Sequence, residues 1–265
     1  MSGGELKSFD RVAEIYDATR AMPPEVASAT TDAILRELRS VSDAPRLLEV
    51  GIGTGRMAVP LAAAGVSVTG IDISTGMLGL LRKKRDDIDV MLAVAAQPPL
   101  RDASFDAVLF VHILHLVPDA IATVDATLPL VRRGGLILHG QDLHPGIRAE
   151  ADALIEAAIT EITGLPTDVA TRRVEGRDVC ERAVRDAGGT SEMMDAARWS
   201  SRATGRRMLG RLARKDFSSS WRIPDAKLPE VLERVTPQID ALFGGLDREV
   251  EFERAFSLFV GRLPS

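Results

Sequence analysis

The chain has 265 residues, of which 45% are hydrophobic and 27% are charged, and this balance is ordinary for a globular protein. Its net charge of −5 argues against a general binder of nucleic acid or of anionic membranes. Cys180 is the single cysteine, which excludes an intramolecular disulfide and a metal cluster built from cysteines.

The first predicted element is a short helix that precedes the sheet. Phe9, Val12, Ile15 and Tyr16 recur there at roughly helical spacing. Tyr16 is the only tyrosine, and it either packs this helix against the domain or contacts a ligand. A second helix is predicted over residues 25–38, where apolar residues form one face.

Residues 46–74 predict a strand, a glycine-rich turn, a helix and a second strand. The apolar run at residues 47–50 is typical of a buried parallel strand. Asp72 ends the second strand, at the sheet edge where open α/β folds bind ligands. The turn lacks a Cβ atom at three positions, so its backbone can pass close to a ligand. These positions are Gly51, Gly53 and Gly55.

Two classes of cofactor compete for this turn. A dinucleotide-binding turn has the pattern G-x-G-x-x-G/A, but Arg56 stands at the sixth position counted from Gly51. The pattern present from Glu49 to Gly55 is E-x-G-x-G-x-G, which resembles the first motif of the class I S-adenosylmethionine-dependent methyltransferases. Asp72 fits this resemblance, because a carboxylate at the end of the second strand can accept hydrogen bonds from two ribose hydroxyls.

The resemblance covers about residues 9–142 and is to the small-molecule branch of the class, which includes ubiquinone- and menaquinone-biosynthesis enzymes. It implies a doubly wound, Rossmann-like α/β sheet with an antiparallel edge hairpin and a helical lid. The predicted ranges are a cofactor-binding core at 1–145, a lid and edge strand on the substrate side at 146–245, and the last core strand at 246–265. The implied cofactor is S-adenosyl-L-methionine, with S-adenosyl-L-homocysteine as product.

The resemblance also implies which residues hold the cofactor. It places Tyr16 near the methionine end, and it places Met77, part of a D-x-S-x-x-M-L pattern, against the adenine. The full predicted set is Tyr16, Glu49, Gly51, Gly53, Gly55, Asp72, Ile73, Met77, Ala95, Ala96, Val111 and His112.

The loop after the third predicted strand departs from the family pattern. Related enzymes often carry Gly-Asp-Ala there, and the resemblance implies that this Asp receives the adenine amino group. Here Ala93 and Val94 stand at the Gly and Asp positions, so no carboxylate is present. Backbone groups around Ala95 and Ala96, the Gln97 side chain, or packing alone are left to hold the adenine.

Three histidines fall at the predicted ligand edge of the sheet. His112 and His115 follow the fourth predicted strand, and His139 follows the fifth. An imidazole titrates near neutral pH, so each is a candidate general base for an acceptor O–H or N–H, in the order His112, His115, His139. His112 and His115 are alternatively structural histidines, and His139 is also a candidate substrate contact. No H-E-x-x-H pattern accompanies them, and no metal is expected.

Candidate substrate contacts lie mainly beyond the core. Residues 198–215 carry arginines and a lysine with no acid among them. In the simpler interpretation they pair with acids further along the chain, and in the other they hold a carboxylate or phosphate of the substrate. The two tryptophans either line an apolar pocket or anchor the lid. The candidates are Asp142, Trp199, Arg206 and Trp221.

The sequence therefore predicts transfer of a methyl group to an O, N or C nucleophile of a small molecule by in-line displacement. Because the sulfonium methyl is already activated, the protein mainly has to align donor and acceptor. Two alternatives stay open: a catalytically silent binding protein that keeps the cofactor fold, and an NAD(P)-dependent oxidoreductase. The expected partner is a small-molecule acceptor, without nucleic acid or membrane, and the expected location is the cytoplasm.

Overall fold

The computed structural model describes residues 22–165, 169–216 and 218–265, together with Asp10, Ala13 and Asp17. The side chains of 169–175 and 218–219 are outside this description. Tyr16, predicted at the methionine end of the cofactor, also lies outside the described residues.

Helices and strands alternate through the first half of the chain, as the sequence predicts for a parallel sheet. They are α1 (Pro24–Val41), β1 (Arg46–Val50), α2 (Ala58–Ala63), β2 (Ser67–Asp72), α3 (Thr75–Lys84), β3 (Asp89–Leu92), β4 (Phe105–Val111), α4 (Ala120–Thr127) and β5 (Val131–Leu143). The second half adds α5 (Ile147–Thr163), α6 (Val169–Asp186), β6 (Thr190–Ala203), α7 (Gly205–Ala213), α8 (Ser218–Trp221), α9 (Leu228–Phe243) and β7 (Val250–Arg262).

In the described ranges, these strands form a seven-stranded sheet in the order β3-β2-β1-β4-β5-β7-β6. The pairs β1–β2, β1–β4, β2–β3 and β4–β5 are parallel. Strand β7 runs antiparallel beside β5, where the Leu263 N–H donates to the Gly135 carbonyl at 2.9 Å. The chain changes direction across the sheet between β1 and β4, which is the switch point at which doubly wound sheets bind ligands. The predicted doubly wound sheet with an antiparallel edge is thus confirmed.

Local signals explain where the elements around the switch point begin. Strand β4 is buried along nearly all its length, because parallel strands at the centre of a sheet are covered on both faces. Ser74 caps α3, with its Oγ accepting the Met77 N–H at 3.1 Å. Asp119 caps α4 in the same way, with its Oδ1 accepting the Ala122 N–H at 2.9 Å.

The chain divides into two compact units. Unit 1 contains the described residues of Met1–Gln141, with Arg172–Ala197 and Phe256–Ser265, and unit 2 contains Asp142–Thr171 and Arg198–Ala255. This division differs from the predicted ranges, because most of α6, part of β6 and the end of β7 belong to unit 1. That a lid takes the substrate stays a prediction.

Each unit has its own apolar core. In unit 1, buried side chains of the central strands, such as Val108, Phe110 and Ile137, pack with Val184 of α6. In unit 2, helices α5, α7 and α9 bury one face each, and the core includes Ile159 and Val235. No helix in the described parts of the chain combines the length and apolar character that crossing a membrane requires.

Candidate cofactor site

A cavity of about 280 Å³ lies in unit 1 at the carboxyl ends of the parallel strands. Nine residues of the predicted cofactor set line it. Five come from the ends of β1 and β2 and from α3: Gly51, Gly53, Asp72, Ile73 and Met77. Four follow β3 or end β4: Ala95, Ala96, Val111 and His112. The structure therefore brings most of the predicted set to one place.

The glycine turn needs glycine for two different reasons. Gly51, Gly53 and Gly55 have φ values of 71°, 55° and 82°, in the left-handed region that side chains disfavour. A Cβ on Gly51 would also lie 2.8 Å from the Ile113 side chain. Gly55 does not line the cavity. A Cβ on Gly55 would instead collide with the Leu81 side chain of α3. Gly55 thus permits close packing of the turn, whereas Gly51 and Gly53 border the cavity.

Asp72 connects the glycine turn to the end of β2. Its Oδ2 accepts the Gly53 N–H at 2.9 Å, and its Oδ1 accepts the Ser74 N–H at 2.8 Å. Burial raises the pKa of Asp72, while these two backbone donors act in the opposite direction. Each carboxylate oxygen keeps a further lone pair, so the side chain can still accept hydrogen bonds from vicinal hydroxyls.

Glu49 lies beneath the turn and outside the cavity lining. It is 3% exposed, and its Oε2 makes no hydrogen bond within the described residues. Burial, followed by the charge of Asp72, raises the pKa of Glu49 to about 8, against the opposing effects of the Ala58 N–H and Arg56. Glu49 is therefore protonated at neutral pH. Its predicted direct contact with the cofactor stays a prediction.

The loop after β3 brings no carboxylate to the cavity. Val94 lines the cavity and is 39% exposed. Gln97 is exposed and lies outside the lining, and its N–H donates to the Val94 carbonyl at 3.0 Å to close a turn. Of the ways to hold an adenine that the sequence leaves open, backbone groups and packing around Ala95 and Ala96 are those that border the cavity.

The three histidines occupy different environments. His112 lines the cavity and has φ of 54°, a strained conformation for a residue with a side chain. His115 is half-buried and does not line the cavity. His139 is 5% exposed, and burial, followed by the charges of His112 and Arg177, lowers its pKa to about 4. His139 is therefore a weak base, and His112 is the best placed of the three.

Sequence reasoning missed two groups of residues at this site. The first is the segment that leads into α4, which adds lining residues: Ile113, Leu116, Val117, Pro118, Asp119 and Thr123. The helix-capping pattern at Asp119, directly after the ligand-edge histidines, is the signal that could have indicated it. The second group consists of acidic residues near the N-terminus, for which the sequence offers no comparable signal.

These acidic residues, Asp10 and Asp17, contact the loops that follow β1 and β2. The Asp17 carboxylate accepts the Thr54 hydroxyl at 2.5 Å and lies 2.6 Å from Lys84 Nζ. Lys84 also donates to the Thr54 carbonyl at 2.8 Å. Asp10 accepts the Ser74 hydroxyl at 2.6 Å. Thr54, between Gly53 and Gly55, is thus held by Asp17 at its hydroxyl and by Lys84 at its carbonyl.

The predicted substrate residues lie in unit 2. Asp142 is 8% exposed, and its Oδ2 lies 3.7 Å from an Arg254 guanidinium nitrogen. That guanidinium lies 4.7 Å from the centre of the Trp199 ring, in a cation–π contact. Trp221 donates its Nε1–H to the Lys215 carbonyl at 2.9 Å. Trp199 and Trp221 thus both contribute to the internal packing of unit 2.

Arg206 makes a bidentate ion pair with Asp247 on the surface. Its Nε and one terminal nitrogen donate to the two carboxylate oxygens of Asp247 at 2.6 and 2.7 Å. Arg202 similarly lies 3.4 Å from Glu251. These contacts favour the simpler interpretation of the basic segment, in which its cations pair with acids from elsewhere in the chain.

Comparisons with known proteins agree with this geometry. The family model described as a methyltransferase domain matches residues 48–139. The chain is 32% identical over 201 residues to the demethylmenaquinone methyltransferase of Beutenbergia cavernae, covering 72% of this chain and 80% of that protein. Its fold is similar to that of a candidate methyltransferase from Bacillus halodurans C-125, with a TM-score of 0.56, 17% identity and coverage of 88% and 98% of the two chains. It is also similar to the cyclase SpnF, with a TM-score of 0.55, 17% identity and coverage of 97% and 93%.

The chain belongs to the class I S-adenosylmethionine-dependent methyltransferases. Within that class it is a member of the quinone-biosynthesis-like branch, and it transfers a methyl group from S-adenosyl-L-methionine to a small molecule. The residues at the cavity fit this cofactor, because Asp72 can accept ribose hydroxyls and the space beside Gly53 is open, with the nearest atom to a Cβ there 3.9 Å away. The NAD(P)-dependent oxidoreductase alternative is wrong, since the family uses a different cofactor.

Proposed function

We propose that the cavity at the ends of β1 to β4 is the cofactor site and that methyl transfer occurs by in-line displacement at its mouth. The observation that carries this proposal is that Gly51, Gly53 and Asp72 line one cavity at the switch point of the sheet. The Asp72 carboxylate binds the ribose hydroxyls, while Met77 and the backbone of Ala95 pack against the adenine.

The protein promotes methyl transfer mainly by positioning the donor and the acceptor and by excluding water. When bound, S-adenosyl-L-methionine supplies a methyl group that is already activated by its sulfonium. Alignment of the reacting groups can lower a barrier by several kcal/mol, and by about 7–11 kcal/mol in the best cases. The apolar side chains of Ile113, Leu116 and Val117 line the cavity and exclude water there.

A general base is required only where the acceptor carries a proton. His112 is the first candidate, because it lines the cavity, and His115 is second. His139 is third, because its pKa of about 4 makes it a poor proton acceptor. Replacing His112 with Gln should then lower kcat by more than any loss of cofactor affinity explains. An unchanged kcat would exclude His112 as the base.

The acceptor is proposed to bind the lid predicted at residues 146–245, with Asp142 just before it in the sequence. Asp142, Trp199, Arg206 and Trp221 are its proposed contacts, and O, N and C nucleophiles all remain candidates. A quinol-type ring is the first acceptor to test, since the relative from Beutenbergia cavernae is named for demethylmenaquinone. The proposal includes a cytoplasmic location and no nucleic-acid or membrane partner, in keeping with a net charge of −5.

The test is a calorimetric titration with S-adenosylmethionine and S-adenosylhomocysteine. Asp72→Ala should abolish or strongly weaken binding of both compounds. Asp87→Ala is the matched control, because that exposed carboxylate pairs with Arg85 and does not line the cavity. A folded wild-type protein that binds neither compound would instead support the catalytically silent alternative. Equal binding by Asp72→Ala and wild type would place the cofactor elsewhere.

A further inference from the structure

The cofactor cavity contains a carboxylate with no assigned role. Asp119 lines the cavity together with Val94, Ala95 and Ala96. Its Oδ1 accepts the Ala122 N–H at 2.9 Å and thereby caps α4. No hydrogen bond within the described residues engages Oδ2. One oxygen of this side chain thus serves the helix, and the other is available to a ligand.

Helix α4 and the loop after β3 contribute to one apolar cluster of unit 1. Ala120 and Val124 of α4 belong to the same apolar cluster as Ala93 and Ala95. Asp119 directly precedes Ala120, and it lines the same cavity as Val94, Ala95 and Ala96 of that loop.

The adenine of the cofactor carries a hydrogen-bond donor that an acceptor in the lining can satisfy. The exocyclic amino group of adenine is a hydrogen-bond donor, and burying a donor without a partner is unfavourable. The β3 loop contributes the apolar side chains of Val94, Ala95 and Ala96 to the cavity. The polar side chains in the lining are those of Asp72, His112, Asp119 and Thr123. Asp72 is assigned to the ribose hydroxyls, His112 is the candidate base, and the Thr123 hydroxyl donates to the Asp119 carbonyl.

We propose that Asp119 accepts a hydrogen bond from the adenine amino group, in place of the carboxylate that the loop after β3 lacks. Asp119 thereby selects an adenine base and is a binding residue for the cofactor, in addition to its role as a helix cap. This inference rests on the proposed cofactor site.

The experiment compares S-adenosylhomocysteine with its 6-desamino analogue, in which hydrogen replaces the amino group. A hydrogen bond to an exposed carboxylate should make wild type prefer S-adenosylhomocysteine by roughly tenfold. Asp119→Asn keeps the cap, because Asn is as good a capping residue as Asp. Its amide oxygen then serves Ala122 and its NH₂ group faces the adenine, so the preference should fall to about onefold, that is, to none.

Two further variants make the result specific. Asp119→Ser also caps a helix but has a shorter side chain, and it should lose the preference as well. Asp125→Asn is the control, since Asp125 lies on the same helix and pairs with Arg182 at 2.9 Å outside the cavity lining. It should keep the wild-type preference.

The outcomes separate this inference from the proposed cofactor site. Loss of the preference in both Asp119 variants, with Asp125→Asn unchanged, supports the role of Asp119. Equal affinity of wild type for the two compounds, or an undiminished preference in Asp119→Asn, overturns it and leaves the cofactor site standing. A folded wild-type protein that binds neither compound overturns both.

Discussion

The backbone N–H of Gly53 donates to Asp72 Oδ2 over 2.9 Å, so the residue that ends β2 holds the turn that follows β1. Gly53 has φ of 55°, a conformation that favours glycine. The nearest atom to a Cβ built on Gly53, its chain neighbours apart, is the Gly51 carbonyl oxygen at 3.9 Å, so the described residues leave that space open. The turn and the carboxylate therefore form one unit whose open side borders the cavity.

Replacing Gly53 with Ala should reduce cofactor affinity beyond its effect on stability. A side chain in the left-handed region costs about 1–2 kcal/mol of folding free energy. Gly65→Ala is the matched control, because Gly65 has φ of 91°, nothing within 4 Å of its Cβ position and no place in the cavity lining. Urea denaturation should show similar losses for both variants. Titration should show a loss of S-adenosylhomocysteine affinity for Gly53→Ala alone, and equal affinities would contradict this.

Replacing Lys84 with Met should weaken cofactor binding in a salt-dependent way. Lys84 lies 2.6 Å from Asp17 Oδ2 and donates to the Thr54 carbonyl, so it restrains the glycine turn. Because both side chains are partly exposed, salt screens their attraction. Wild-type affinity should fall as salt rises, and the variant should show a smaller change. Lys83→Met is the control, and a salt dependence that is identical in all three proteins would refute the prediction.

Glu49 should make the protein less stable as the pH rises. Its pKa is about 8 in the folded chain against an ordinary 4.5, so the fold keeps a proton that the unfolded chain releases. The stability is fully present below pH 4.5 and is lost progressively up to about pH 8, by roughly 3–5 kcal/mol. Glu49→Gln keeps the shape of the side chain but removes the group that titrates. Denaturation across this range should show a flatter profile for the variant, and parallel profiles would exclude Glu49 as the cause.

His139 should make the protein less stable as the pH falls below neutral. Its pKa is lowered from 6.5 to about 4, because the charged form is buried near His112 and Arg177. Stability is therefore present above pH 6.5 and is lost as the pH falls toward 4, by about 3 kcal/mol. His139→Leu should remove this part of the acid-induced loss. A variant that loses stability between pH 6.5 and pH 4 as steeply as wild type would contradict the assignment.

The cofactor end of the site was predictable because its signals are local. Gly51, Gly53 and Asp72 sit at strand ends, and parallel strands bring their carboxyl ends to one edge regardless of how the rest of the chain packs. The structure accordingly places them on one cavity. Asp119 was not predicted as a site residue, because its place in the cavity lining depends on how the segment before α4 packs on the sheet.

Charge patterns were less informative than strand-end residues. Arg206 belongs to a basic run that fits either an anionic substrate or surface ion pairs, and its partner Asp247 lies 41 residues further along the chain. Asp17 likewise reaches Thr54 across 37 residues. Long charged side chains adapt to many partners, so their spacing in sequence does not specify which acid they meet.

By itself, the sequence determined the class of fold, the cofactor and the glycine turn with its carboxylate, because periodicity, backbone freedom at glycine and strand-end placement act over short distances. The tertiary structure alone decided which histidine borders the cavity, which is buried with a lowered pKa, and which carboxylates reach the cofactor loops. These properties depend on burial and on contacts between segments distant in sequence, and such contacts exist only once the helices have packed on the sheet.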